Sequence, residues 1–231
     1  MAKLIHDAAG EHFYETGVQE CVLYPVGAET THGTHKTKYS KGVAWNGITT
    51  VTESPSGAEA TPLYADNRKY LNLISAEDFG MTIEAYTYPD EFAECDGSAS
   101  VANVAGLKIG QQPRKMFGLC YKTFVGNDEA AADGSHYKLH LVYGCMAAPS
   151  ERAYATVNET PEAITMSWEV TTTPVDMTGF KPLAHIEVES TATKIADLIA
   201  ALYGTDGTGS GTGTDAYLPM PDEVAAILSA T

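Results

Sequence analysis

The first residues with the types and spacing for chemistry are His32-Gly33-Thr34-His35, two imidazoles three apart, a spacing that can offer two nitrogen ligands to one metal ion. Without a neighbouring acid or thiolate the motif is incomplete, and Lys36, Lys38 and Lys41 beside it repel a cation. It reads as a basic loop, and three clustered lysines on so acidic a chain suit a surface that meets an acidic partner. From Glu77 to Asp96 seven acids occur with no base, but their spacing is not that of a calcium loop; a helix start and a solvated strand face explain them. The glycines at 207, 209, 211 and 213 match neither G-x-G-x-x-G nor G-x-x-x-x-G-K, and no strand leads into them. No G-x-S-x-G elbow is present, and none of the seven histidines has a context pairing it with a nucleophile. Cys21, Cys95, Cys120 and Cys145 are scattered with no C-x-x-C pair, so buried reduced thiols are expected. The residues therefore predict no enzyme, no metal and no cofactor.

The elements that would position any site follow from composition and pattern. The 231 residues are 44% apolar, enough for one or two cores, and 14 Lys plus Arg against 30 Asp plus Glu leave a net charge of −16. Nucleic-acid binding by counterion release needs clustered cations, and this balance disfavours it. No run approaches the roughly 18 apolar residues of a membrane helix, and Met1 to His12 has no signal-peptide core, so a soluble cytosolic product is expected.

Short β-branched and aromatic runs between Gly, Pro, Asn and Asp dominate residues 17 to 189, the pattern of antiparallel sheets. Strands are expected at 17–25, 42–51 (broken by the Asn46-Gly47 turn), 79–88, 116–125, 137–145, 163–173 and 183–188. In 163–173, Ile164, Met166, Trp168 and Val170 share one face, which marks Trp168 as core. Pro89 to Phe92 opens a turn or two of helix. Residues 192–203 carry Ile195, Leu198, Ile199 and Leu202 in one stripe with Gly204 as a cap. Residues 204–215 read as a flexible linker, and Pro221 onward as a short terminal helix. The fold class expected is mainly β, an antiparallel sandwich or barrel over 1–203 with an N-terminal arm and flanking helix, and a tethered segment at 204–231. Residues 26–41 and 52–76 read as long loops, which in compact domains are functional or disordered.

The order of these segments resembles the major tail tube proteins of long non-contractile phage tails, the phi13-type major tail protein group. The resemblance covers roughly Gly17 to Thr191. It runs through Gly17-Val18 to Leu23-Tyr24, Leu63-Tyr64-Ala65-Asp66-Asn67, Phe79-Gly80-Met81-Thr82-Ile83-Glu84, Pro89-Asp90-Glu91-Phe92, Phe117 to Tyr121, Leu141 to Cys145 and the strand ending at Thr173-Pro174. Each motif is ordinary strand chemistry, and their order and spacing carry the likeness. It implies six-fold rings stacked into a hollow tube, with strands of one sheet lining a lumen through which DNA passes without specific binding. It implies as partners further copies of the chain, a tape measure protein, and tail terminator and tip proteins, with a location in the virion tail and, during assembly, the host cytoplasm.

In such a ring Glu84 and Glu169, on the polar faces of their strands, point to the lumen or to the outer solvent, and at least one of them is expected to line the lumen and repel phosphate. Ser54, Glu59, Tyr64 and Asp66 in one long loop, and Lys36, Lys38 and Lys41 in the other, are expected to contact neighbouring subunits or the next ring. A virion decoration or host-recognition module is the alternative, and a β-rich enzyme the third reading.

Overall fold

The computed structural model describes residues 6–32, 35–39, 41–102, 104–129, 131–156, 163–207 and 213–229. Fifteen strands follow in chain order: β1 Tyr14–His32, β2 His35–Tyr39, β3 Val43–Ala44, β4 Ile48–Glu53, β5 Ser56–Gly57, β6 Ala60–Ala65, β7 Arg68–Ile74, β8 Glu77–Asp78, β9 Gly80–Ala85, β10 Ala99–Ser100, β11 Lys108–Ile109, β12 Phe117–Gly126, β13 Tyr137–Ala147, β14 Met166–Thr172 and β15 His185–Glu189. Two helices close the chain, α1 Ile195–Tyr203 and α2 Pro221–Ser229, and a 3-10 turn lies at Asp90–Glu94.

Nine strands make one antiparallel sheet in the order β2-β1-β12-β13-β14-β9-β4, with β15 on β13 and β3 on β1. The sheet is not a closed barrel. Its fork lies in β13, whose first half pairs with β15 through Lys138 to Val142 and whose end pairs with β14 through Cys145 to Ala147. Gly144 sits at the handover with φ +61, and a Cβ there would lie 2.1 Å from the Thr173 carbonyl oxygen. Only glycine fits that position. The irregularity also shifts the alternation, so Val142 and Cys145 face the same core although three residues apart.

Alternation gives the central strands two buried faces. On one, Leu23, Phe117, Leu119 and Val142 meet Ile83, Trp168 and Val170 from the folded-over β9 and β14, with Trp45 and Phe92 filling the space between. Trp45, Phe92 and Trp168 pack in tilted and edge-to-face contacts, centroids 4.4 to 5.7 Å apart. On the other face Tyr24, Tyr39, Leu139, Leu141 and Tyr143 receive Leu198 and Leu202 of α1, then Leu218 and Val224. All four cysteines are buried and free of disulfides; burial pushes the Cys95 and Cys120 thiols up to about 12.

Several expectations change. Trp168 is fully buried and Met166 packs beside its cluster, but Ile164 precedes β14 and is exposed, because the ladder with β9 begins only at Met166. The Asn46-Gly47 break is real, with Gly47 at φ +83 between β3 and β4. The stretch after Gly204 is drawn in. Thr205 and Thr214 form a β-bridge, Tyr143 and Thr37 hydroxyls donate to the Pro219 and Leu218 carbonyls, and Leu218 is fully buried. Of the four linker glycines, 209 and 211 lie outside the described residues.

Candidate functional site

Neither long loop is a loop. The segment expected as one at 26–41 is the far half of β1 and its partner β2, a ribbon in which Thr30 pairs with Thr37 and His32 with His35. Residues 33 and 34 of the H-x-x-H motif lie outside the described residues; the His32 ring stacks on Tyr217 at 3.9 Å. Lys36 forms an ion pair with Glu29 at 2.7 Å, Lys41 with Asp215 at 2.7 Å, and Lys38 is exposed on β2. The ribbon carries mixed charge, so its lysines do not form a single positive field.

The segment at 52–76 is an antiparallel arm. It leaves the sheet after β4, pairs β5 with β8 and β6 with β7, and returns into β9. Asp66 and Asn67, at φ +51 and +60, are the left-handed pair of a type I′ turn, whose twist matches the strands it joins. Ser54 anchors the root through its N–H to the Gly80 carbonyl, while Glu59 and Tyr64 lie along the arm.

Every residue from Thr52 to Asp78 is exposed. Leu63 pairs with Leu71 and Thr61 with Leu73 on one face of the ribbon; Ala60 pairs with Ile74 on the other, and Tyr70 is the extra residue at the irregularity between the Leu63–Leu71 and Tyr64–Lys69 pairs. Tyr64, Tyr70 and Ile74 are 70%, 72% and 70% exposed and Leu73 55%. An isolated two-stranded ribbon is marginal in water, and exposed apolar side chains of this size are the kind that other proteins bury in interfaces.

Glu84 and Glu169 are brought together. Glu84 pairs with Ser167 and Glu169 with Thr82, so both carboxylates lie on the face of β9 and β14 that points away from the core. Thr50 and Thr52 of β4 continue the same face. It is a hydroxyl-rich strip carrying two carboxylates.

A polar cluster escaped the sequence reading. Tyr121 pairs with His140, His185 with Val142, and Glu53 with Met81, so alternation turns all four side chains toward the inner face of the sheet, where its end strands approach. Tyr121 Oη donates to Glu53 Oε1 at 2.5 Å, and His140 Nδ1 lies 3.2 Å from His185 Nε2. Those two rings are parallel to 4° with centroids 5.4 Å apart; with nitrogens that close, the rings meet edge-on in nearly one plane. Tyr121 stacks on His140 at 4.6 Å and Phe79 on His185 at 4.8 Å. Burial holds the His185 imidazole below its ordinary value, with His140 adding to the effect and Glu53 and Glu187 opposing it. The signal in the sequence was His140 itself, a lone imidazole within the apolar run Leu139 to Tyr143.

No family model matches the sequence, and no curated protein matches it. Among solved structures the chain is similar to one from the cryo-EM structure of the anti-feeding prophage (AFP) baseplate, 6-fold symmetrised. The alignment covers 80% of this chain and 97% of that one, at 7% identity and a TM-score of 0.36.

Proposed function

We propose that this chain is a structural subunit that assembles with copies of itself, as the tube-forming protein of a long non-contractile phage tail. The observation that carries the reading is the arm of residues 54–78, a well-formed ribbon with apolar side chains on both faces and every residue exposed. Burying each of Tyr70, Leu73 and Ile74 against a neighbour is worth about 1.5–3 kcal/mol, so a ring of arms supplies a drive for association that the monomer leaves unused. The order of segments from Gly17 to Thr191, similar to the tail tube group, supports the same reading.

In that assembly six copies form a ring and rings stack through the arm and the β1–β2 ribbon. The strip bearing Glu84 and Glu169 lines the lumen, where carboxylates keep a passing phosphate backbone from adhering. Tape measure, terminator and tip proteins are the remaining partners, in the virion tail.

Sedimentation velocity on the purified chain at rising concentration tests this. Species of six or more copies are expected for the wild type, and a folded monomer for Leu73→Ser/Ile74→Ser. A wild type that stays monomeric or trimeric at every concentration contradicts the tube and favours a decoration or host-recognition module.

A further inference from the structure

The cluster at the opening of the sheet has the geometry of a metal centre. His140 Nδ1, His185 Nε2 and Glu53 Oε1 form a triangle with edges of 3.2, 3.5 and 3.8 Å. The point equidistant from three atoms so placed is about 2.0 Å from each, by the geometry of that triangle, and Zn–N and Zn–O bonds are about 2.0–2.2 Å. We propose that Glu53, His140 and His185 bind one divalent transition-metal ion of the Zn²⁺ class, with the fourth position left to water.

Protons around His140 point the same way. The Thr123 hydroxyl has a single proton, which it donates to Glu15 Oε1 at 2.5 Å. The 3.0 Å contact between Thr123 Oγ1 and His140 Nε2 therefore has the imidazole N–H as donor, with Glu15 Oε1 3.4 Å from the same nitrogen. That assignment leaves Nδ1 as a bare lone pair facing a carboxylate oxygen 3.5 Å away. His185 carries at most one proton on Nε2, which reaches Nδ1 at 3.2 Å and leaves Glu53 at 3.8 Å. Tyr121 Oη meanwhile donates to Glu53 Oε1, so a cation bound between the three atoms takes the place of the single imidazole proton shared by the two histidines.

The surroundings are those of a supported site. A carboxylate behind the ligating histidine fixes its tautomer, here Glu15 acting with Thr123, and Tyr121 holds the Glu53 carboxylate in place. Lys138 is engaged by Glu15 at 3.0 Å and Glu187 at 3.1 Å, which leaves the Glu53 carboxylate to the centre. The ligands come from β4, β13 and β15, and among the described residues β4 pairs only with β9 and β15 only with β13. An ion here ties these strands together and fixes the root of the arm, which begins one residue after Glu53. His140 and Glu53 are separate from the arm's own apolar faces, so the site stands or falls independently of assembly.

The test is calorimetric titration of the chelator-stripped, full-length chain with Zn²⁺ alone, followed by metal analysis of the gel-filtered product. One ion per chain is expected, with a rise in melting temperature as zinc saturates the folded state. Glu53→Gln and His185→Gln should each abolish one-to-one binding while circular dichroism stays that of the wild type. Glu15→Gln, which keeps all three ligands and loosens the support that Thr123 and Glu15 give His140 and the ion pair to Lys138, should weaken binding about 10-fold without abolishing it. Co²⁺ in the wild type needs no variant to fold, and it should give the visible absorption of a tetrahedral centre and paramagnetic shifts at the His140 and His185 rings. A wild type without stoichiometric zinc, binding that survives His185→Gln, or shifts at His32 in place of His140 overturns the proposal.

Discussion

Asp96 carries three partners on one carboxylate that is only 10% exposed: Trp168 Nε1 donates to it at 3.1 Å, Arg114 lies at 3.6 Å, and Arg152 is hydrogen-bonded to its other oxygen. It ties the central tryptophan to two cations from separate segments. Asp96→Asn keeps the shape and removes the charge, so denaturant unfolding should show a loss of about 1.5–3 kcal/mol. Trp168→Ala removes the ring those contacts position, and about 3–5 kcal/mol with it. At the chain's start, His12 lies between Asp128 at 3.0 Å and Asp7 at 2.6 Å, and hydrogen bonds to Asp128 first and Asp7 second raise its pKa. Asp128 is held down at about 2 by the same pair. A raised imidazole favours the folded state below about 6.5 and loses that contribution as pH rises through the folded value. The His12 ring should therefore titrate above 6.5 by NMR, and fall back toward it in Asp128→Asn. Trp168 was legible because alternation alone buries it. Asp96 was not, because it lies in an acid-rich run whose solvated members look identical until Arg114 and Arg152 are in place.

The elements divide along the same line. The strands at 79–88, 116–125 and 137–145 were legible because their apolar positions alternate, and α1 because its stripe ends at Gly204. The arm at 52–76 read as a loop because a hairpin whose residues are all exposed has no buried face, and therefore no alternation to betray it; the β1–β2 ribbon does bury Thr37 and Tyr39, but the segment that covers them, around Leu218, lies far along the sequence. Thr61-Pro62-Leu63-Tyr64 and Tyr70-Leu71-Asn72-Leu73 carry apolar residues on both faces, and Asp66-Asn67 was the turn signal between them. The arm makes a prediction at this scale. Removing Ser54 to Ala60 should cut assembly and leave the unfolding midpoint of the main sheet within about 0.5 kcal/mol, since exposed segments contribute little to the core. In contrast, Gly144→Ala strikes the fork of β13, where a Cβ meets the Thr173 carbonyl oxygen at 2.1 Å, and should leave the chain largely insoluble. The His140 cluster was illegible for a different reason: its members come from β4, β12, β13 and β15, and only the curl of the sheet makes them neighbours.

For the whole molecule, the net charge of −16 gives the surface a sign, and the fold gives the charge a place. Glu84 and Glu169 sit together on the outward face of β9 and β14 among hydroxyls. In the proposed tube that strip is assigned to the lumen, and on that assignment Glu84→Lys/Glu169→Lys should assemble normally yet release DNA slowly, most of all at low salt, where phosphate contacts are unscreened. Ejection kinetics of particles carrying the double variant, measured across salt concentrations, check it. Self-assembly through the arm is the claim on which the rest depends, and cryo-electron microscopy of the concentrated, purified chain tests it most directly. Six-fold hollow rings or tubes are expected, with density for residues 60–74 seated on an adjacent copy and the Glu84–Glu169 strip on the bore. Discrete monomers with the arm in solvent, or an assembly whose contacts omit the arm, would contradict it.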